Sequence, residues 1–549
     1  MAMIELNDVT FTYPDSAEPA INNVSLAINK GQFVVLFGRS GSGKSTLLRL
    51  LKKEIQPHGN ISGDIRIKGQ PVQESSGLSK EVGFVFQDPE NQMVAEDVLH
   101  EMVFGLENIG LPANEMRNRV AEMVHFFNAE SLLHRKSHEL SGGKKQQINL
   151  ASVLLMQPDI LLLDEPTAQL DPVSARDFID MLKRLNDEFG MTIIMAEHRL
   201  EEVFTLADKI IMMEKGCIQI EGQPSDVLPH IWNSEYRPFV PTIPALFFSL
   251  NGRGSLPLTV KEGRDWMQSV IHELAGPANE NKLEVNAEEQ ILLKSISFHY
   301  DKKSKLILDG LDLRLKKGEF YALMGGNGSG KSTLLKVIGG LLKPDDGKVF
   351  IDEKPLKSYK QLELIRKIGY LPQNPKLFFL QDTVEKEIQE TLAQWGGIDN
   401  ASHVDTLLSQ LGIDHLVSSH PYDLSGGELQ KAALSCLLLR KPEVLLLDEP
   451  TKGLDPISKV NLAGILQNLH KAGITILMST HDIEFAAQYA TKCGMMFQGK
   501  ITTEDIPNKF FKGNFFYTTM TQRVFRGWSE ERTPMTLEEA INQCVTARK

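Results

Sequence analysis

Residues 33–46, FVVLFGRSGSGKST, organise the rest of the chain: an apolar run is followed by small residues, a lysine and the start of a helical pattern. They fit the pattern G-x-x-x-x-G-K-[ST] of a phosphate-binding loop at Gly38, Gly43, Lys44 and Ser45. Small residues let successive backbone N–H groups close around phosphates, and the positive end of the following helix faces them. Lys44 is predicted to reach the β- and γ-phosphates of a nucleotide, and Ser45 to hold Mg²⁺. The alternative, an ordinary Gly- and Ser-rich turn, does not account for strand, lysine and helix in register.

A second copy of this stretch lies at residues 320–333, FYALMGGNGSGKST, where Lys331 occupies the lysine position. Later residues keep nearly the same separation: Lys44 and Lys331 are 287 positions apart, and His198 and His481 are 283 apart. A separation that drifts by only a few residues indicates a duplicated domain. The sequence therefore predicts two nucleotide-binding loops in one chain.

The composition is that of a globular protein with room for two large domains. The chain has 549 residues, of which 42% are hydrophobic and 24% charged, and its formal net charge is −12. This acidic balance disfavours a nucleic-acid surface, because surfaces that bind nucleic-acid phosphates are normally basic. The four cysteines are scattered without C-x-x-C spacing, so we expect neither a metal cluster nor a disulfide framework, and a reducing cytosol is the expected compartment.

No segment of the sequence has the pattern of a membrane-spanning helix. The longest uncharged run, residues 238–252, contains three prolines and is shorter than the roughly 18 to 20 apolar residues that a span needs. We therefore expect that the chain does not cross a bilayer.

Each half alternates short apolar runs with longer helical patterns. In the first half the short runs lie at residues 33–37, 82–86, 160–163 and 192–195. The alternation predicts an α/β domain with a mainly parallel sheet, into which the mostly helical residues 87–141 are inserted as a subdomain. The predicted order of the segments is a first domain, its linker or extension, a second domain and a C-terminal extension, over residues 1–230, 231–289, 290–505 and 506–549.

A glutamine follows an apolar run at the same place in each half, Gln87 in VGFVFQDPENQ and Gln373 in GYLPQNP. Its side-chain amide is predicted to reach Mg²⁺ or an attacking water. A tyrosine also stands upstream of each phosphate loop, Tyr13 in FTYPDS and Tyr300 in SFHYDKK. Two readings of these tyrosines stay open: stacking on adenine, or plain packing at the end of a strand.

The sequence LSGGKKQ at residues 140–146 recurs as LSGGELQ at residues 424–430. A serine and two glycines before a helix offer a hydroxyl, bare backbone N–H groups and a helix N-terminus, all suited to a phosphate. The alternative is an ordinary helix cap.

Two apolar runs end in paired carboxylates, ILLLDEPTAQLD at residues 160–171 and VLLLDEPTKGLD at residues 444–455. Such a strand end places two carboxylates beside the phosphate loop. One is predicted to bind Mg²⁺ and the other to orient and deprotonate water. A histidine follows a later apolar run in each half, His198 in TIIMAEHR and His481 in TILMSTHD.

Together these motifs resemble the ATP-binding cassette (ABC) ATPases. Phosphate loop, glutamine loop, LSGG signature, Asp-Glu strand end, Leu-Asp loop and switch histidine occur in this order twice and cover nearly all of both halves. The resemblance implies an α/β fold with two phosphate-loop ABC ATPase domains in tandem. In that family the LSGG of one domain faces the phosphate loop of the other, with ATP between them. One site would thus combine the first phosphate loop with Ser425 and Gly427, and the other the second loop with Ser141 and Gly143.

The resemblance also implies a role for each motif residue. The catalytic groups would be the general bases Glu165 and Glu449 with the switch histidines His198 and His481. The Mg²⁺ ligands would be Ser45, Gln87, Asp164, Ser332, Gln373 and Asp448. The residues that contact ATP would be Tyr13, Gly38, Gly41, Gly43, Lys44, Ser45, Thr46, Gln87, Ser141, Gly143, Tyr300, Gly325, Gly328, Gly330, Lys331, Ser332, Thr333, Gln373, Ser425 and Gly427. Asp171 and Asp455 would communicate across the interface, and both halves are predicted to hydrolyse ATP.

The first half departs from the family pattern at three places. Lys144 follows its LSGG where Gln or Glu is more usual, Gln169 stands where the Leu-Asp loop usually has a small residue, and AEHR replaces the more usual Thr-His-Asp around His198. These departures leave the relative rates of the two sites open.

Residues 82–112, VGFVFQDPENQMVAEDVLHEMVFGLENIGLP, resemble the ATPases of energy-coupling factor (ECF) importers for vitamins and cobalt or nickel. In such importers the helical subdomain receives a membrane T component, and a separate S component binds the substrate. The resemblance implies a peripheral protein at the cytoplasmic face of the cell membrane. It would be driven by ATP-dependent closure of its halves, with a thiamine precursor, cobalamin or cobalt/nickel as candidate substrates.

Fused double cassettes also occur among the ABC-F proteins, soluble ATPases that bind the ribosome, and this is the alternative function. Their linker is long, helical and basic. Here residues 222–290 hold five basic against nine acidic residues and are interrupted by prolines, which suits ribosomal RNA poorly. A chromosome-maintenance ATPase is disfavoured too, because the 97 positions between Lys44 and Ser141 leave no room for a coiled-coil arm.

Each half ends in a similar extension, with SLPLTVKEGRDWM at residues 255–267 matching RTPMTLEEAINQC at residues 532–544. We expect each extension to pack on its own half, the alternative being an extra contact with a dimer or membrane partner. The covalent link favours pairing of the two halves of one chain over pairing with a second copy.

Overall fold

The computed structural model describes residues 2–14, 16–73, 80–270, 288–302, 304–395, 401–515, 517–528 and 533–547. The chain divides into two compact units, Met1–Pro244 with Arg253–Leu258, and Ala245–Gly252 with Thr259–Lys549. Among the described residues, no helix combines the length and apolar character that crossing a membrane requires.

A six-stranded sheet forms the centre of the first unit, and five of its strands are parallel. In spatial order the strands are Cys217–Gly222, Lys209–Glu214, Phe33–Phe37, Thr192–Ala196, Ile160–Asp164 and Val82–Val85. The four strands from Phe33–Phe37 to Val82–Val85 are buried along their whole length, as expected from their continuous apolar sequences. Parallel strands place their carboxyl ends at one edge, so the loops that carry the motifs meet there.

An antiparallel sheet packs beside the central sheet of the first unit. Its strands are, in spatial order, Ile21–Asn29, Ala2–Thr12, Asn60–Ile67 and Gln70–Pro71. Their alternating apolar side chains join one face of the central sheet and the helix Lys44–Leu50 in a single buried cluster. This cluster fixes the helix that follows the phosphate loop.

The remaining helices of the first unit belong either to the inserted subdomain or to the layers that flank the sheet. The subdomain contains Pro89–Gln92, Val98–Asn108, Ala113–Phe126 and Gly142–Leu154, with short 3-10 turns at Glu130–Leu132 and Ser137–Glu139. The flanking elements are Lys53–Ile55, Pro172–Phe189, Leu200–Val203, Pro224–Trp232 and Arg237–Phe239.

The second unit repeats this plan. Its central sheet runs, in spatial order, Ile368–Leu371, Val444–Asp448, Thr475–Ser479, Phe320–Met324, Lys492–Phe497 and Lys500–Asp505, with only the last strand antiparallel. Its antiparallel sheet runs Leu308–Lys316, Glu289–Phe298, Asp346–Ile351 and Lys354–Pro355. The predicted tandem α/β fold with mainly parallel sheets is therefore confirmed.

The helices of the second unit again form an insertion and flanking layers. The insertion contains Pro375–Phe378, Val384–Trp395, Ala401–Leu411, Asp414–Leu416, Pro421–Asp423 and Gly426–Leu438. The other helical elements are Lys331–Ile338, Leu356–Ser358, Gln361–Lys367, Pro456–Lys471, Ile483–Tyr489, Pro507–Phe510, Met520–Phe525 and Leu537–Ala547.

The extension that follows the first half packs differently from our expectation. It contains the helices Thr242–Ser249 and Val260–Val270. Within the second unit, Val260–Val270 packs on Met520–Phe525 of the C-terminal extension, and the Arg264 guanidinium donates to the Arg523 carbonyl oxygen at 2.8 Å. The reason is chemical: Met267 is fully buried and the Trp266 ring contacts the Phe247 ring at a tilted angle, so this helix has an apolar face that the other extension covers.

Candidate functional site

The phosphate loop of the first half connects the buried strand Phe33–Phe37 to the helix that begins at Lys44. Gly38 has a φ of 144°, and a Cβ there would collide with the Met213 carbonyl oxygen, so only glycine fits. The Lys44 ammonium donates to the carbonyl oxygens of Gly38 at 3.0 Å and Arg39 at 2.9 Å. These contacts hold the lysine over the loop, where its charge faces the space that the backbone encloses.

The second half builds the same loop between the strand Phe320–Met324 and the helix that begins at Lys331. The Lys331 ammonium donates to the carbonyl oxygens of Gly325 at 2.8 Å and Gly326 at 3.2 Å. Its nitrogen also lies 3.7 Å from an oxygen of Glu449. Both lysines are almost fully buried, 4% exposed in the first half and 6% in the second. Two nearly buried ammonium groups, each held at the mouth of a glycine-rich loop, suit a site for an anionic ligand.

An aspartate at the end of a central strand accepts the hydroxyl of the loop serine in each half. Ser45 Oγ donates to Asp164 at 2.7 Å, and Ser332 Oγ donates to Asp448 at 3.0 Å. Burial raises the pKa of Asp164 from its ordinary value of 3.8 to about 6, although the Ser45 hydroxyl opposes that rise. Burial also raises the pKa of Asp448, opposed by hydrogen bonds from two serines. A hydroxyl beside a carboxylate is an oxygen pair of the kind that Mg²⁺ prefers.

The second half adds two hydroxyls to this aspartate. The fully buried Ser479 donates to Asp448 at 2.6 Å and accepts the Glu449 N–H at 3.0 Å. The Tyr370 hydroxyl lies 3.5 Å from the other oxygen of Asp448. Burial, with the charge of Asp448, raises the pKa of Tyr370 well above its ordinary value. At the equivalent places the first half has Ala196 and Phe84, which carry no hydroxyl.

The glutamate after each aspartate contacts the switch histidine of its own half. His198 Nε2 lies 2.9 Å from Glu165 Oε1, and His481 Nε2 lies 3.0 Å from Glu449 Oε1. Both glutamates adopt a left-handed backbone, with φ of 43° and 51°. Non-glycine residues in this region are strained, and such strain concentrates at functional sites. Burial alone would raise the pKa of Glu449, but the hydrogen bond from His481 and the charges of His481 and Lys331 bring the pKa below its ordinary value.

The predicted glutamines differ between the halves. Gln87 Nε2 donates to Glu165 Oε2 at 2.6 Å, so the glutamine loop of the first half contacts the predicted general base. Gln373 is an exposed residue just beyond the strand Ile368–Leu371. The sequence predicted the same placement for both glutamines. Among the described contacts, Gln87 reaches the glutamate of its half and Gln373 does not.

The tyrosine upstream of each loop is tied to that loop by a hydrogen bond. The Tyr13 hydroxyl lies 3.1 Å from the Thr46 hydroxyl, and the Tyr300 hydroxyl lies 3.1 Å from the Thr333 hydroxyl. Each ring also meets a phenylalanine edge-on, with 5.0 Å between ring centres in the first half and 5.1 Å in the second. Tyr300 is 62% exposed. This arrangement places an aromatic ring beside the phosphate loop of each half.

The LSGG residues begin a helix in each half, as predicted. Ser425 caps Gly426–Leu438 through a reciprocal pair of hydrogen bonds with Glu428: the Ser425 N–H donates to the Glu428 carboxylate, and the Glu428 N–H donates to the Ser425 hydroxyl. Ser141 precedes Gly142–Leu154 without a side-chain cap, and Lys144 stands where the second half has that glutamate. Among the described contacts of each half, none joins these serines to the phosphate loop of the same half. The structure thus brings together the loop, carboxylate, histidine and tyrosine motifs, and leaves the LSGG motif apart from them.

The residues present fit Mg²⁺ bound together with a nucleotide. Within the described residues, no group of three or more His, Cys, Asp or Glu side chains forms a cage for a metal. Mg²⁺ is usually held by one or two carboxylates, waters and substrate phosphates, and needs no such cage. The hydroxyl and carboxylate pairs of the two halves match that requirement.

Sequence reasoning missed four residues that hydrogen-bond either to the motif aspartate Asp448 or to each other and the backbone of His198. They are Thr167, Glu197, Tyr370 and Ser479. The signal was present in part: alignment of the two halves shows Ala196 against Ser479 and Glu197 against Thr480. The alignment did not show which residue each of the four contacts.

These features define a class, that of phosphate-loop nucleotide-binding proteins with two copies of one α/β domain. The family profile described as ABC transporter matches residues 21–168 and 308–452, more than half of the chain. The chain therefore belongs to the ABC transporter family, as an ATP-binding protein that couples ATP hydrolysis to transport.

Known relatives extend over almost the whole chain. A protein of Bacillus thuringiensis subsp. konkukian, described provisionally as an ABC transporter ATP-binding protein, is 44% identical over 99% of this chain and 98% of its own length. A protein of Bacillus subtilis, described provisionally as an HMP/thiamine import ATP-binding protein, is 30% identical over 93% of this chain and 92% of its own length. Among solved structures, cbiO1 of Clostridium perfringens is 30% identical, with a TM-score of 0.38, and covers 43% of this chain and 97% of its own.

Proposed function

We propose that this chain is the energy-coupling ATPase of an ECF-type importer. It would lie at the cytoplasmic face of the cell membrane, bound to an integral membrane T component and working with a separate S component that binds the substrate. The substrate would be a vitamin or related micronutrient, with a thiamine precursor, cobalamin and cobalt or nickel as the candidates. The observation that carries the proposal is a pair of exposed apolar loops, one after the glutamine of each half.

These loops are held by buried carboxylates. In the first half Val94 is 64% exposed, while its backbone N–H and that of Ala95 both donate at 2.8 Å to Glu101, which is 5% exposed. In the second half Leu380 is 87% exposed, and its N–H donates at 2.8 Å to the buried Glu387. A loop fixed in this way cannot easily fold its apolar side chain inward. The repetition of the arrangement in both halves indicates a contact surface for a partner.

Other exposed apolar side chains lie in the same two subdomains. Phe104 is 47% exposed in the first half, and Leu377 is 73% exposed in the second. Several exposed apolar side chains in one subdomain suit a partner with an apolar contact helix, which a membrane protein can present at its cytoplasmic side. A ribosomal RNA partner would need basic residues there instead.

The relatives support the choice of importer and substrate class. The Bacillus subtilis relative is described as an import ATP-binding protein for HMP or thiamine, and it aligns over 93% of this chain. The text of residues 82–112 resembles ECF ATPases in the stretch that contains the Val94 loop. A thiamine precursor is therefore the first candidate to test.

The proposed mechanism assigns one task to each motif. Lys44 and Lys331 bind the β- and γ-phosphates of ATP, and Glu165 and Glu449 accept the proton of the attacking water. His198 and His481 hold these glutamates in place. Mg²⁺ would neutralise charge on the phosphate oxygens, held by Ser45, Gln87 and Asp164 in the first half and by Ser332, Gln373 and Asp448 in the second. Tyr13, Tyr300 and the LSGG residues Ser141, Gly143, Ser425 and Gly427 complete the nucleotide contacts.

Affinity purification of the tagged chain from membranes in mild detergent tests the proposal. We expect a polytopic T-type protein and a small vitamin-binding membrane protein to co-purify, and the second protein would identify the substrate. Recovery of ribosomal proteins from the soluble fraction, with no membrane protein, would contradict the proposal and favour the ABC-F alternative.

A pair of variants makes the test specific to the loops. Val94→Glu combined with Leu380→Glu is expected to abolish recovery of the T component. Phe497→Glu is the matched control, because Phe497 is 61% exposed but lies on a hairpin outside both subdomains. Equal recovery from the loop variant and from the control would show that the loops are not the contact surface.

A further inference from the structure

Glu197 is a buried carboxylate that none of the motifs includes. It follows the strand Thr192–Ala196 directly and is 1% exposed. One of its oxygens accepts the Thr167 hydroxyl at 2.7 Å, and the other accepts the backbone N–H groups of His198 at 2.8 Å and Arg199 at 3.1 Å. All three partners are donors, which is the arrangement that satisfies an ionised carboxylate.

These contacts join the two segments that carry the catalytic groups of the first half. Thr167 is fully buried and stands two residues after Glu165, in the turn that leaves the strand Ile160–Asp164. His198 stands one residue after Glu197, and its Nε2 contacts Glu165. The carboxylate of Glu197 therefore fixes the Glu165 turn and the backbone of His198 relative to each other.

In the second half the corresponding two segments are joined without a carboxylate. Thr480 replaces Glu197, and its hydroxyl lies 3.4 Å from the Thr451 hydroxyl and accepts the Asp482 N–H at 2.9 Å. The backbone N–H of His481 donates instead to Glu449 Oε2, at 3.2 Å. The predicted general base of the second half thus receives both the ring and the backbone N–H of its histidine.

This difference changes which group contacts the second carboxylate oxygen of Glu165. Because Glu197 accepts the His198 backbone N–H, that group is not directed at Glu165. Glu165 Oε2 accepts the Gln87 amide instead, at 2.6 Å. Gln87 begins the segment that leads to the exposed Val94 loop, so in this half the start of that segment contacts Glu165 directly.

We propose that Glu197 is a positioning residue of the first ATP site: it holds the switch-histidine backbone away from Glu165, so that Glu165 is held by His198 and Gln87 together. The inference rests on the proposed role of Glu165 as general base. It predicts that the two sites lose activity through different substitutions, although their motifs are the same.

Steady-state ATP hydrolysis of Glu197→Thr tests this, because the substitution installs the residue of the second half. It is measured in a Glu449→Gln background, where turnover reports the first site. If that background shows no turnover, the two halves depend on each other for hydrolysis. Glu197→Thr is then measured in the otherwise wild-type chain, where a defect in the first site lowers total turnover. We expect kcat to fall roughly tenfold through misplacement of Glu165, while KM for ATP changes less than twofold.

Two further variants separate positioning from loss of structure. Thr167→Val removes one donor and keeps the bonds to the His198 and Arg199 amides, so we expect a kcat loss of no more than about threefold. Glu197→Gln retains the size and an acceptor oxygen, and it should recover part of the activity that Glu197→Thr loses. A kcat for Glu197→Thr equal to that of its parent would overturn the inference. A loss of kcat accompanied by a similar fold-loss of ATP affinity and by a lower melting temperature would also overturn it, because loss of structure would then explain the defect.

Glu165→Gln measured alongside keeps the two assignments apart. If Glu165→Gln leaves turnover of the first site intact, the proposed role of Glu165 fails. If Glu165→Gln abolishes that turnover and Glu197→Thr does not change it, only the role of Glu197 fails.

Discussion

The aspartates that end the strands Ile160–Asp164 and Val444–Asp448 occupy equivalent places but have different surroundings. Asp164 accepts one described hydroxyl, that of Ser45. Asp448 accepts the hydroxyl of Ser332, that of Ser479 and, at a longer distance, that of Tyr370. Two halves with the same motifs thus stabilise the same carboxylate to different degrees.

The two halves therefore share their motif residues but differ in the residues around those motifs. Each half keeps the lysine, serine, aspartate, glutamate and histidine in the same relative positions. The residues just behind them differ in hydrogen-bonding capacity: Ala196 and Phe84 in one half, Ser479 and Tyr370 in the other. We therefore expect the two sites to share one chemistry and to differ in how tightly their carboxylates are held.

The largest effect is expected from the predicted general bases. Glu165→Gln combined with Glu449→Gln removes both proton acceptors and should lower kcat roughly 1000-fold, because general-base catalysis contributes on the order of 10² to 10⁴. Phosphate release measures this, and each single variant measures the share of one half. Retention of more than a tenth of the wild-type kcat by the double variant would show that the bases lie elsewhere.

The next effect concerns the pH dependence of stability in metal-free protein. The pKa of Asp164 rises from 3.8 to about 6 on folding, so between these pH values the folded state binds more protons than the unfolded state. The free energy of unfolding therefore falls as pH rises through this range, and at pH 8 the ionised Asp164 costs roughly 3 kcal/mol. Asp164→Asn should remove that cost in EDTA at pH 8 and give a shrinking advantage toward pH 4.

Hydrogen exchange of the amides in Ile160–Asp164 measures this locally, since exchange reports the stability of individual elements. Asp448→Asn is the matched comparison. Its gain should be smaller, because the hydroxyls of Ser479 and Ser332 already stabilise the charged form. A larger gain for Asp448→Asn than for Asp164→Asn would reverse the comparison.

Ser479→Ala converts one feature of the second half into that of the first. It removes the donor to Asp448 and the acceptor of the Glu449 N–H in a fully buried place. We expect a loss of about 1 to 2 kcal/mol in the stability of Val444–Asp448 by hydrogen exchange. Ser435→Ala, another fully buried serine of this half, is the control and should leave the Mg²⁺ dependence of ATP hydrolysis unchanged, whereas Ser479→Ala should alter it.

Tyr370→Phe is expected to have the smallest effect. The hydroxyl lies 3.5 Å from Asp448, at the limit of a hydrogen bond, so its loss should cost only about 0.5 kcal/mol. Thermal unfolding of the variant should stay within about 2 °C of the wild type. A drop of more than 5 °C would show that Tyr370 packs in a way that Phe84 does not.

The fold, and the meeting of the loop, carboxylate and histidine motifs at one edge of each sheet, followed from the sequence. Strand, loop and helix are adjacent along the chain around Lys44, and parallel strands bring the ends at Asp164 and Ala196 to one edge. These features depend on local patterns and on one topological rule, which a single sequence can reveal.

The contacts behind the motifs did not follow, because they join residues that lie far apart in the chain. Thr167 and Glu197 are 30 positions apart, and Tyr370 and Asp448 are 78 apart. The sequence AEHR showed a departure from the family pattern near His198, but it did not show that the Glu197 carboxylate contacts Thr167. The packing of Val260–Val270 on the C-terminal extension likewise depends on tertiary contacts that no local pattern encodes.

The central claim is that the chain holds two complete but unlike ATP sites. Equilibrium binding of Mg²⁺ and ATP to the chain with Glu165→Gln and Glu449→Gln tests it most directly, because hydrolysis is blocked while the phosphate loops stay intact. We predict two ATP molecules per chain with two distinguishable affinities. A stoichiometry of one ATP per chain would contradict the claim that both sites are complete, and two identical affinities would contradict the claim that they differ.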